Sequence, residues 1–284
     1  MSQITPVKSG LQLGLIGDNI AQSRAPLLHR LAGAQNGIAV QYDRLVPPDR
    51  GESFDRVFDH CAAAGFRGIN VTYPYKERAV ARTQIVDPLV RAIGAINTVI
   101  FEGDTPQGFN TDYSGFMTAY QSARGTQAPG TVLMIGTGGV GRAVAFGLAS
   151  LGVSELRLVD RDFAKAKALA ATLRSSAPDA TISVSTDAEQ AAKGVSGVIN
   201  CTPVGMVGYD GTPLPRTAMS GAEWAFDAVY TPKDTHFLTD AAAEGLRIIS
   251  GWELFFHQGV HAWALFSGTP LDEAALRQAL EQAD

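Results

Sequence analysis

The residues from Gly136 to Gly141, with the sequence GTGGVG, have the spacing of a phosphate-binding turn. They directly follow the apolar run Thr131 to Ile135 and open an alanine-rich stretch that is typical of a helix. In this context Gly136 allows a tight turn, Gly138 lets the backbone approach a pyrophosphate, and Gly141 lets helix and strand pack closely. The phosphates would be held by amide groups at the start of the helix. We therefore expect a dinucleotide site here.

An acidic residue, Asp160, lies at the position that determines cofactor preference in a dinucleotide site. The predicted strand Glu155 to Val159 is followed by Asp160, and a carboxylate about 20 positions beyond such glycines accepts hydrogen bonds from the adenosine ribose. The same carboxylate repels a 2'-phosphate, which favours NAD over NADP. Arg161 could pair with a phosphate, but Asp162 adds an opposing carboxylate. We expect NAD, with NADP as the alternative.

Polar residues form four clusters in the first half of the chain, each at a predicted strand end or turn. Loops at the carboxyl edge of a parallel sheet are where small ligands bind, so these clusters are a candidate substrate site. The clusters are Gln22 to Pro26 (QSRAP), Asn70 to Lys76 (NVTYPYK), Gly94 to Thr98 (GAINT) and Gly108 to Phe116 (GFNTDYSGF).

The four clusters, in this order ahead of a dinucleotide motif, resemble the shikimate/quinate dehydrogenase family. The motifs of that family are an SxSP-like turn, NVTxPxK, GAxNT and NTDxxGF. The resemblance continues in Asn200 to Met206 (NCTPVGM), Asp227 to Tyr230 (DAVY) and Gln258, so it covers nearly the whole chain. It implies hydride transfer between a nicotinamide cofactor and a ring hydroxyl of a small cyclic carboxylate.

The resemblance implies that Lys76 and Asp112 are the catalytic pair. Hydride transfer from a secondary alcohol also requires removal of the hydroxyl proton, which the cofactor cannot perform. By similarity, Lys76 would exchange that proton, while Asp112 would orient the ammonium group and share the substrate hydroxyl. Outside such a motif, a lysine after a proline is usually a solvated side chain.

The resemblance also implies which residues bind the two ligands. For Gln258 to reach the substrate, the last helices must return from the second domain to the first. Ordinary turn or capping chemistry is the alternative explanation for the amides and hydroxyls. The implied substrate site comprises Ser23, Thr72, Asn97, Asn110, Tyr230 and Gln258. The implied cofactor site comprises Gly136, Gly138, Gly139, Val140, Gly141, Asp160, Arg161, Thr202, Met206 and Gly251.

The turn expected to hold the substrate carboxylate departs from the family pattern. Family members usually grip this group with two hydroxyl residues two positions apart; here the first is Ser23 and the second position is Ala25. Losing a hydrogen bond to a charged acceptor costs about 1.5 to 3 kcal/mol. Arg24 could supply positive charge instead. The small Ala25 would also enlarge the site, which leaves quinate or an amino analogue open as substrates.

The elements that must position these residues alternate between strand and helix, which is typical of parallel sheets covered by helices. In the first half we predict strands at Leu11 to Gly17, Ala39 to Val46, Phe66 to Tyr73 and Asn97 to Phe101, and helices at Phe54 to Ala64 and Glu77 to Val80. In the second half we predict strands at Thr131 to Ile135, Glu155 to Val159, Thr181 to Val184, Gly197 to Asn200, Trp224 to Val229 and Arg247 to Ile249, and helices at Gly141 to Ser150, Ala164 to Ser175 and Phe237 to Glu244.

The pattern predicts an α/β protein of two domains, and 284 residues suffice for two cores. A polar stretch with glycine and proline from Arg124 to Gly130 is typical of a linker. We expect a mostly parallel α/β substrate-binding and catalytic domain at 1–116, completed by 252–284. We expect a Rossmann, doubly wound NAD-binding domain at 117–251. The tail from Gly251 predicts two amphipathic helices that return to the first domain.

Composition limits the partners. A formal net charge of -5 without a long basic cluster argues against nucleic acid, because phosphate neutralisation needs a basic face. The apolar runs are far shorter than the ~20 residues that span a bilayer, and the N-terminus lacks a signal-peptide pattern. Cys61 and Cys201 are too far apart in sequence to predict a disulfide framework. We expect a cytoplasmic monomer or homodimer with small-molecule ligands, and neither nucleic-acid nor membrane partners.

His257 and His261 are spaced like a zinc-binding pair on a helix. Position 258 is glutamine rather than the general-base glutamate, and no third ligand is suggested nearby, so we expect no metal.

The sequence thus predicts an NAD-dependent oxidoreductase that interconverts shikimate and 3-dehydroshikimate. A quinate dehydrogenase or an aminoshikimate dehydrogenase is the alternative within the same chemistry. A non-catalytic NAD-binding sensor is a third hypothesis, against which the retained Lys76 and Asp112 argue, because a sensor needs no proton relay.

Overall fold

The computed structural model describes residues 10–283. Over this range the chain divides into two compact units. The first unit comprises the described residues of Met1–Thr111 and Gln258–Asp284, and the second comprises Asp112–His257. Each unit contains its own β-sheet.

The first unit begins with a mixed β-sheet and the helices between its strands. Its elements are β1 (Leu11–Ile16), α1 (Ala25–Gln35), β2 (Val40–Leu45), α2 (Phe54–Ala63), β3 (Gly68–Val71), α3 (Pro88–Ile93), β4 (Thr98–Ile100) and β5 (Gln107–Phe109). The strand order is β2-β1-β3-β4-β5. β1 runs parallel to β2 and β3, as predicted, whereas β4 runs antiparallel to β3 and β5. The segment predicted as a helix at Glu77 to Val80 forms a 3-10 helix over Arg78–Arg82 instead.

Helix ends in the first unit follow local sequence signals. Ser53 accepts a hydrogen bond from the N–H of Arg56 at the start of α2, which satisfies an amide that has no partner within the helix. Asp87 accepts one from the N–H of Leu89 at the start of α3 in the same way. α3 ends at Gly94, whose φ of +66° favours glycine. The chain then turns into the short segment that carries Asn97.

The second unit contains a parallel sheet with the doubly wound order. Its elements are α4 (Thr111–Arg124), whose first residue belongs to the first unit, β6 (Thr131–Ile135), α5 (Gly139–Ser150), β7 (Glu155–Val159), α6 (Phe163–Ser176), β8 (Thr181–Ser185), α7 (Ala188–Ala191), β9 (Gly197–Asn200), β10 (Trp224–Asp227), α8 (His236–Ala243) and β11 (Arg247–Ile249). The strand order is β11-β10-β9-β6-β7-β8, with every pairing parallel. The order reverses between β6 and β9, and ligands of such sheets bind at the carboxyl ends of the strands there. The predicted Rossmann fold is confirmed.

The chain ends with α9 (Gly251–Ser267) and α10 (Glu273–Gln282). From Gln258 onward it belongs to the first unit. Gly68 on β3 lies so close to α9 that a Cβ there would be 2.6 Å from the ring of Phe266. α10 packs against α1 and buries Leu276 and Leu280. The prediction that the last helices return to the first part of the chain is confirmed.

Candidate active site

The glycine-rich turn of the second unit has the geometry of a phosphate-binding turn. Gly136 follows β6 with a φ of +98°, which favours glycine, and a Cβ there would lie 2.6 Å from the carbonyl group of Cys201. A Cβ on Gly141 would lie 2.2 Å from the carbonyl oxygen of Gly136, so the close packing of α5 on β6 requires glycine. Apart from Gly138 itself and its two neighbours in the chain, no described residue comes within 4 Å of a Cβ built on Gly138, which leaves room for a phosphate.

The start of α5 supplies the donors for that phosphate. Gly138 is the N-cap residue and provides no side-chain cap, and Gly139 and Val140 form the first turn. The first N–H groups of a helix have no partner within the helix and attract anions. The residues of this turn therefore fit a dinucleotide pyrophosphate.

Asp160 is fixed beside the glycine turn. Its Oδ2 accepts hydrogen bonds from the N–H and the hydroxyl of Thr137, both at 2.7 Å, and its Oδ1 accepts one from the N–H of Asp162 at 2.9 Å. Burial opposes ionisation of Asp160, but these hydrogen bonds outweigh it and lower the pKa of the carboxyl. Asp160 is thus a carboxylate at neutral pH. Arg161 next to it is exposed, while Asp162 caps α6 by accepting from the N–H of Lys165.

A buried amide shapes the loop after β9. Asn200 ends β9, and its Oδ1 accepts from the N–H of Thr202 at 2.9 Å and from its hydroxyl at 2.7 Å. Its Nδ2 donates to the carbonyl oxygen of Val204 at 3.0 Å. The loop then continues to Met206, whose N–H donates to the carbonyl oxygen of Pro203. These bonds hold Thr202 next to the glycine turn, where its methyl group would lie 2.9 Å from a Cβ on Gly136.

Asp227, at the end of β10, ties this loop to the next one. Its Oδ1 accepts from Nδ2 of Asn200 and from the N–H of Val229, both at 2.9 Å, and its Oδ2 accepts from the hydroxyl of Thr235 at 2.6 Å. Burial raises the pKa of Asp227 to about 7, against the opposing effect of these three bonds. The loops that follow β9 and β10 are therefore joined through one buried carboxyl group.

Two more predicted ligand residues follow β10 in the second unit. Tyr230 stacks on Phe255, with ring centroids 4.7 Å apart. Gly251, the first residue of α9, approaches the chain after β10 so closely that a Cβ would lie 2.2 Å from the carbonyl oxygen of Val229. Only glycine permits this approach.

In the first unit, the predicted substrate residues Asn97 and Gln258 lie together. Oδ1 of Asn97 accepts from the N–H of Thr111 at 2.7 Å, and its Nδ2 donates to Oε1 of Gln258 at 3.4 Å. Asn97 is buried and Gln258 half-buried. Nδ2 of Asn110 donates to the carbonyl oxygen of Ala95 at 2.8 Å. Its predicted role in substrate binding stays a prediction.

A buried polar network leads from Asn97 into the sheet. The hydroxyl of Thr98 lies 3.1 Å from Oδ1 of Asn97 and accepts from Nδ2 of Asn70 at 3.1 Å. Tyr42 donates its hydroxyl proton to Oδ1 of Asn70 at 2.8 Å and stacks on His29, with ring centroids 5.2 Å apart. Burial lowers the pKa of His29 to about 3, although its hydrogen bond with Asn70 acts in the opposite direction. His29 is therefore neutral at physiological pH.

The turn before α1 carries Ser23 and Arg24 in different roles. The Ser23 hydroxyl oxygen accepts from the N–H of Ala25 at 3.3 Å, and its carbonyl oxygen accepts from Arg44 at 2.6 Å. Arg24 donates from Nη2 to the carbonyl oxygen of Leu280 at 2.7 Å, near the end of α10. Part of the Arg24 guanidinium group is thus occupied by a hydrogen bond to the protein backbone. The sequence had suggested that Arg24 could instead compensate for the hydroxyl missing at Ala25.

The loop after β3 carries the predicted catalytic lysine. Tyr75 donates its hydroxyl proton to Oδ1 of Asp18 at 2.6 Å, and the carbonyl oxygen of Thr72 accepts from the Tyr75 N–H at 2.9 Å. Burial and the bond to Asp18 raise the pKa of Tyr75 to about 12. These bonds fix the backbone next to Lys76, which is half-buried. Asp112, the first residue of the second unit, is 4% exposed, and its pairing with Lys76 stays a prediction.

No group of three or more His, Cys, Asp or Glu side chains within residues 10–283 could hold a metal ion. In the same range no helix has the length and apolar character needed to cross a membrane.

Comparison with known proteins decides the family. Residues 15–99 match the model of the shikimate dehydrogenase substrate binding domain. Over 272 residues the chain is 36% identical to a protein of Corynebacterium efficiens named quinate/shikimate dehydrogenase (NAD(+)), which covers 93% of this chain and 95% of that one. The chain belongs to the shikimate/quinate dehydrogenase family.

Two further proteins of the shikimate/quinate dehydrogenase family are similar over nearly their full length. A shikimate dehydrogenase (NADP(+)) of an Arthrobacter species is 34% identical over 270 residues, or 93% of this chain and 92% of the relative. The solved structure of quinate dehydrogenase from Corynebacterium glutamicum in complex with NAD has a TM-score of 0.87 at 31% identity, over 96% of this chain and 99% of that one. The resemblance predicted from the motifs is confirmed.

Three functional candidates received no role from sequence reasoning. Asn200 and Asp227 fall within the motif segments of the shikimate/quinate dehydrogenase family, but their mutual hydrogen bond depends on the neighbouring positions of β9 and β10. Tyr42 lies on β2, for which the sequence predicted a strand and no functional residue. Its contact with Asn70 crosses β1, so only the strand order shows it.

Proposed function

We propose that this chain is an NAD-dependent oxidoreductase that interconverts shikimate and 3-dehydroshikimate. Membership of the shikimate/quinate dehydrogenase family supports the reaction class. The observation that carries the cofactor assignment is the Asp160 carboxylate, held 2.7 Å from Thr137 in the glycine turn. When bound, NAD supplies the acceptor of the hydride.

The cofactor preference follows from the charge of Asp160. Its lowered pKa keeps the carboxyl group ionised, so it accepts hydrogen bonds from ribose hydroxyls and repels a 2'-phosphate. Arg161, exposed beside it, is the cationic group that would permit weak use of NADP. Thr202, Met206 and Gly251 complete the proposed cofactor site.

We assign proton transfer to Lys76 and Asp112. Oxidation of the substrate breaks a C–H bond, whose electron pair leaves with the hydride, and an O–H bond, whose proton passes to Nζ of Lys76. Before the transfer Asp112 shares the single hydroxyl proton of the substrate with Lys76, and after the transfer it orients the resulting ammonium group. The reduction reverses each transfer.

The substrate site lies on the part of the chain that we assign to substrate binding and catalysis, 1–116 completed by 252–284, with 117–251 as the NAD-binding domain. Asn97 and Gln258, which share a hydrogen bond, would meet the substrate hydroxyls. The remaining residues proposed for substrate binding are Ser23, Thr72 and Asn110, and also Tyr230, which belongs to 117–251.

Quinate is the second candidate substrate. The observation that favours it is Ala25, which is buried at the start of α1 and has no hydroxyl to offer the carboxylate. A small side chain there leaves space for an additional ring substituent. An amino analogue of shikimate would fit the same space.

A steady-state panel tests the proposal. Shikimate, quinate and an amino analogue are each assayed with NAD and with NADP, and NADH or NADPH formation is followed by absorbance. We expect the highest kcat/KM for a cyclic carboxylate paired with NAD. Absence of turnover in all six combinations would contradict the assignment and favour a cofactor-binding protein without chemistry.

We further propose a cytoplasmic monomer or homodimer. Cys61 and Cys201 are both buried thiols rather than halves of a disulfide, which suits a reducing compartment. Sedimentation at several protein concentrations would distinguish the two oligomeric states.

A further inference from the structure

A groove of about 400 Å³ lies at the outer edge of the sheet of the first unit. β2 is the last strand on that side of the strand order, and side chains of β2, α1 and α2 line the groove. None of the residues proposed for the substrate, the cofactor or proton transfer belongs to the lining. The charged and imidazole side chains of the groove are Arg30 of α1, Asp43 and Arg44 of β2, Arg50 of the 3-10 helix Pro48–Arg50, and His60 of α2.

The charge of the groove is opposite to that of the whole chain. The chain carries 23 lysines and arginines against 28 aspartates and glutamates, which gives a formal net charge of -5. In the lining of the groove, by contrast, the arginines Arg30, Arg44 and Arg50 face a single carboxylate, that of Asp43. The lining is therefore positively charged even when His60 is neutral.

Two of these arginines lack a carboxylate partner in the part of the chain that the structure describes. Within that part, the Arg30 side chain forms no hydrogen bond or ion pair, and the Arg44 side chain donates only to the carbonyl oxygen of Ser23, from Nη2 at 2.6 Å. Other arginines do pair with carboxylates, as Arg67 does with Glu102 at 3.0 Å. The positive charges of Arg30 and Arg44 are thus not neutralised by ion pairs.

The third arginine is held by one ion pair near the protein surface. Nε of Arg50 lies 3.0 Å from Oε2 of Glu52, and both side chains are partly exposed. Exposed pairs of this kind contribute little to stability, so an anion that carries more charge than a carboxylate would compete well for Arg50.

Protection of the sheet edge explains only part of this pattern. Charged side chains on an edge strand prevent that strand from pairing with the edge of another sheet. This role accounts for Asp43 and Arg44, which belong to β2. It does not account for Arg30 and Arg50, which reach the same groove from two helical segments.

A phosphate group matches the lining better than a carboxylate does. Guanidinium groups donate pairs of parallel hydrogen bonds to oxyanions. A phosphate monoester has three acceptor oxygens and about −1.5 to −2 charges at pH 7, so one group can accept from several arginines at once. A carboxylate has two oxygens and one charge. The groove volume lies within the range of small-molecule sites, about 300 to 1,000 Å³.

We propose that the groove at the β2 edge binds a small molecule with a phosphate group, through the guanidinium groups of Arg30, Arg44 and Arg50. This site is additional to the proposed dehydrogenase function and does not depend on it. Arg44 also holds the carbonyl oxygen of Ser23, a residue proposed for the substrate, so Arg30 and Arg50 are the arginines to substitute.

Titration with inorganic phosphate tests the site. Binding is followed through the backbone amide resonance of Arg44 in ¹⁵N-labelled protein, with chloride keeping the ionic strength constant. We expect a saturable shift in the wild type. In Arg30→Gln, which loses hydrogen bonds to a charged acceptor, the dissociation constant should rise about tenfold, and Arg50→Gln should act in the same direction. Because Arg30 has no ion pair to lose within the described chain, Arg30→Gln should keep the unfolding temperature of the wild type.

Arg247→Gln is the matched control. Arg247 is an exposed residue of β11 in the second unit, so its substitution changes the net charge equally but away from the groove. The dissociation constant of this variant should stay within about twofold of the wild type. Equal weakening in Arg30→Gln and Arg247→Gln, or a shift that chloride alone reproduces, would indicate general charge attraction and overturn the proposal.

Asp43→Asn gives an expectation of opposite sign. It removes the carboxylate of the lining and keeps an oxygen for Nε2 of Gln41, which lies 3.4 Å from the carboxylate. Phosphate should then bind about twofold to fivefold more tightly, whereas a variant that only disturbed the fold would bind it more weakly. An unchanged or raised dissociation constant would contradict an anion in this groove.

Three further outcomes separate this site from the other proposals. A phosphate-dependent shift at the amide of Gly138 in the glycine turn, with none at Arg44, would assign the anion to the proposed cofactor site and overturn the groove. Acetate that binds at Arg44 as tightly as phosphate would overturn the choice of phosphate. A saturable shift at Arg44 in a protein without dehydrogenase activity would support the groove and contradict only the proposed function.

Discussion

The carboxylate of Asp160 accepts two hydrogen bonds from Thr137, one from the backbone N–H and one from the hydroxyl, each at 2.7 Å. Thr137 is the second residue of the glycine turn. These hydrogen bonds therefore join the turn that would bind phosphates to the Asp160 carboxylate that would bind ribose. In the proposed cofactor site, the preference for NAD would therefore depend on this hydrogen-bonded turn as well as on the charge of Asp160.

Replacement of Asp160 by serine should shift the preference from NAD towards NADP. The variant loses the negative charge that repels a 2'-phosphate, and the ratio of kcat/KM for NAD over NADP should fall by about tenfold or more, equal to about 1.4 kcal/mol. Asp187→Ser is the control, because Asp187 caps α7 on the exposed surface and serine can also cap a helix. An unchanged ratio in Asp160→Ser would remove Asp160 from ribose recognition.

Introduction of a hydroxyl at Ala25 should tighten shikimate binding. Ala25→Ser would add a second donor for the carboxylate beside Ser23, and the KM for shikimate should fall by about tenfold. Ala34→Ser places the same hydroxyl on an exposed part of α1 and should change nothing. If the KM for shikimate stays the same in Ala25→Ser, another group already holds the carboxylate.

Asp227 should make the protein less stable as the pH rises from about 4 to 7. Its pKa is about 7 in the folded protein, raised by burial from 3.8, so the folded state retains a proton that the unfolded chain has lost. Across this window the folded state binds more protons, and the free energy of unfolding contributed by Asp227 falls with increasing pH. Urea unfolding of wild type and Asp227→Asn at several pH values measures the effect. The free energy of unfolding of Asp227→Asn should lack this pH-dependent contribution. Parallel pH profiles of the free energy of unfolding in the two proteins would contradict the prediction.

His29 should make the protein less stable as the pH falls from about 6.5 to 3. Burial lowers its pKa from 6.5 to about 3, so the unfolded chain takes up a proton that the folded protein excludes. The free energy of unfolding contributed by this group is therefore present above pH 6.5 and is lost as the pH falls. His29→Phe keeps an aromatic ring against Tyr42 and should lose less stability on acidification than wild type, as measured by urea unfolding. An equal loss in both proteins would show that His29 is protonated in the fold.

The strands of the second unit were predictable because most of their side chains are apolar and buried. Thr131–Ile135, Glu155–Val159 and Gly197–Asn200 have the predicted bounds, since strands of a parallel sheet covered on both faces are rich in apolar side chains; the half-buried charged residues Glu155 and Arg157 are exceptions. β5 was missed because Gln107, Gly108 and Phe109 offer too short and too weak a pattern. The pairing of β5 with β4 and the antiparallel edge of the first sheet depend on tertiary structure, which a local sequence pattern does not specify.

In the candidate site, too, features that depend on local sequence were predictable and contacts that depend on the tertiary structure were not. The positions of the glycine turn before α5 and of Asp160 after β7 were predictable because they depend on spacing along the chain. The Asp227 to Asn200 bond and the Tyr42 to Asn70 bond were not, because each joins residues of different strands. The bond from Arg24 to the carbonyl oxygen of Leu280 depends on the return of α10 to α1, which no local pattern specifies.

Replacement of Lys76 by alanine tests the central claim, that this chain is a dehydrogenase in which Lys76 exchanges the substrate proton. The measurement is the steady-state rate of NADH formation with the best cyclic substrate, beside Lys193→Ala, whose exposed lysine serves as control. We predict a fall in kcat of about 100-fold or more for Lys76→Ala, with NAD affinity retained and full activity in the control. Near-wild-type turnover of Lys76→Ala would contradict the mechanism.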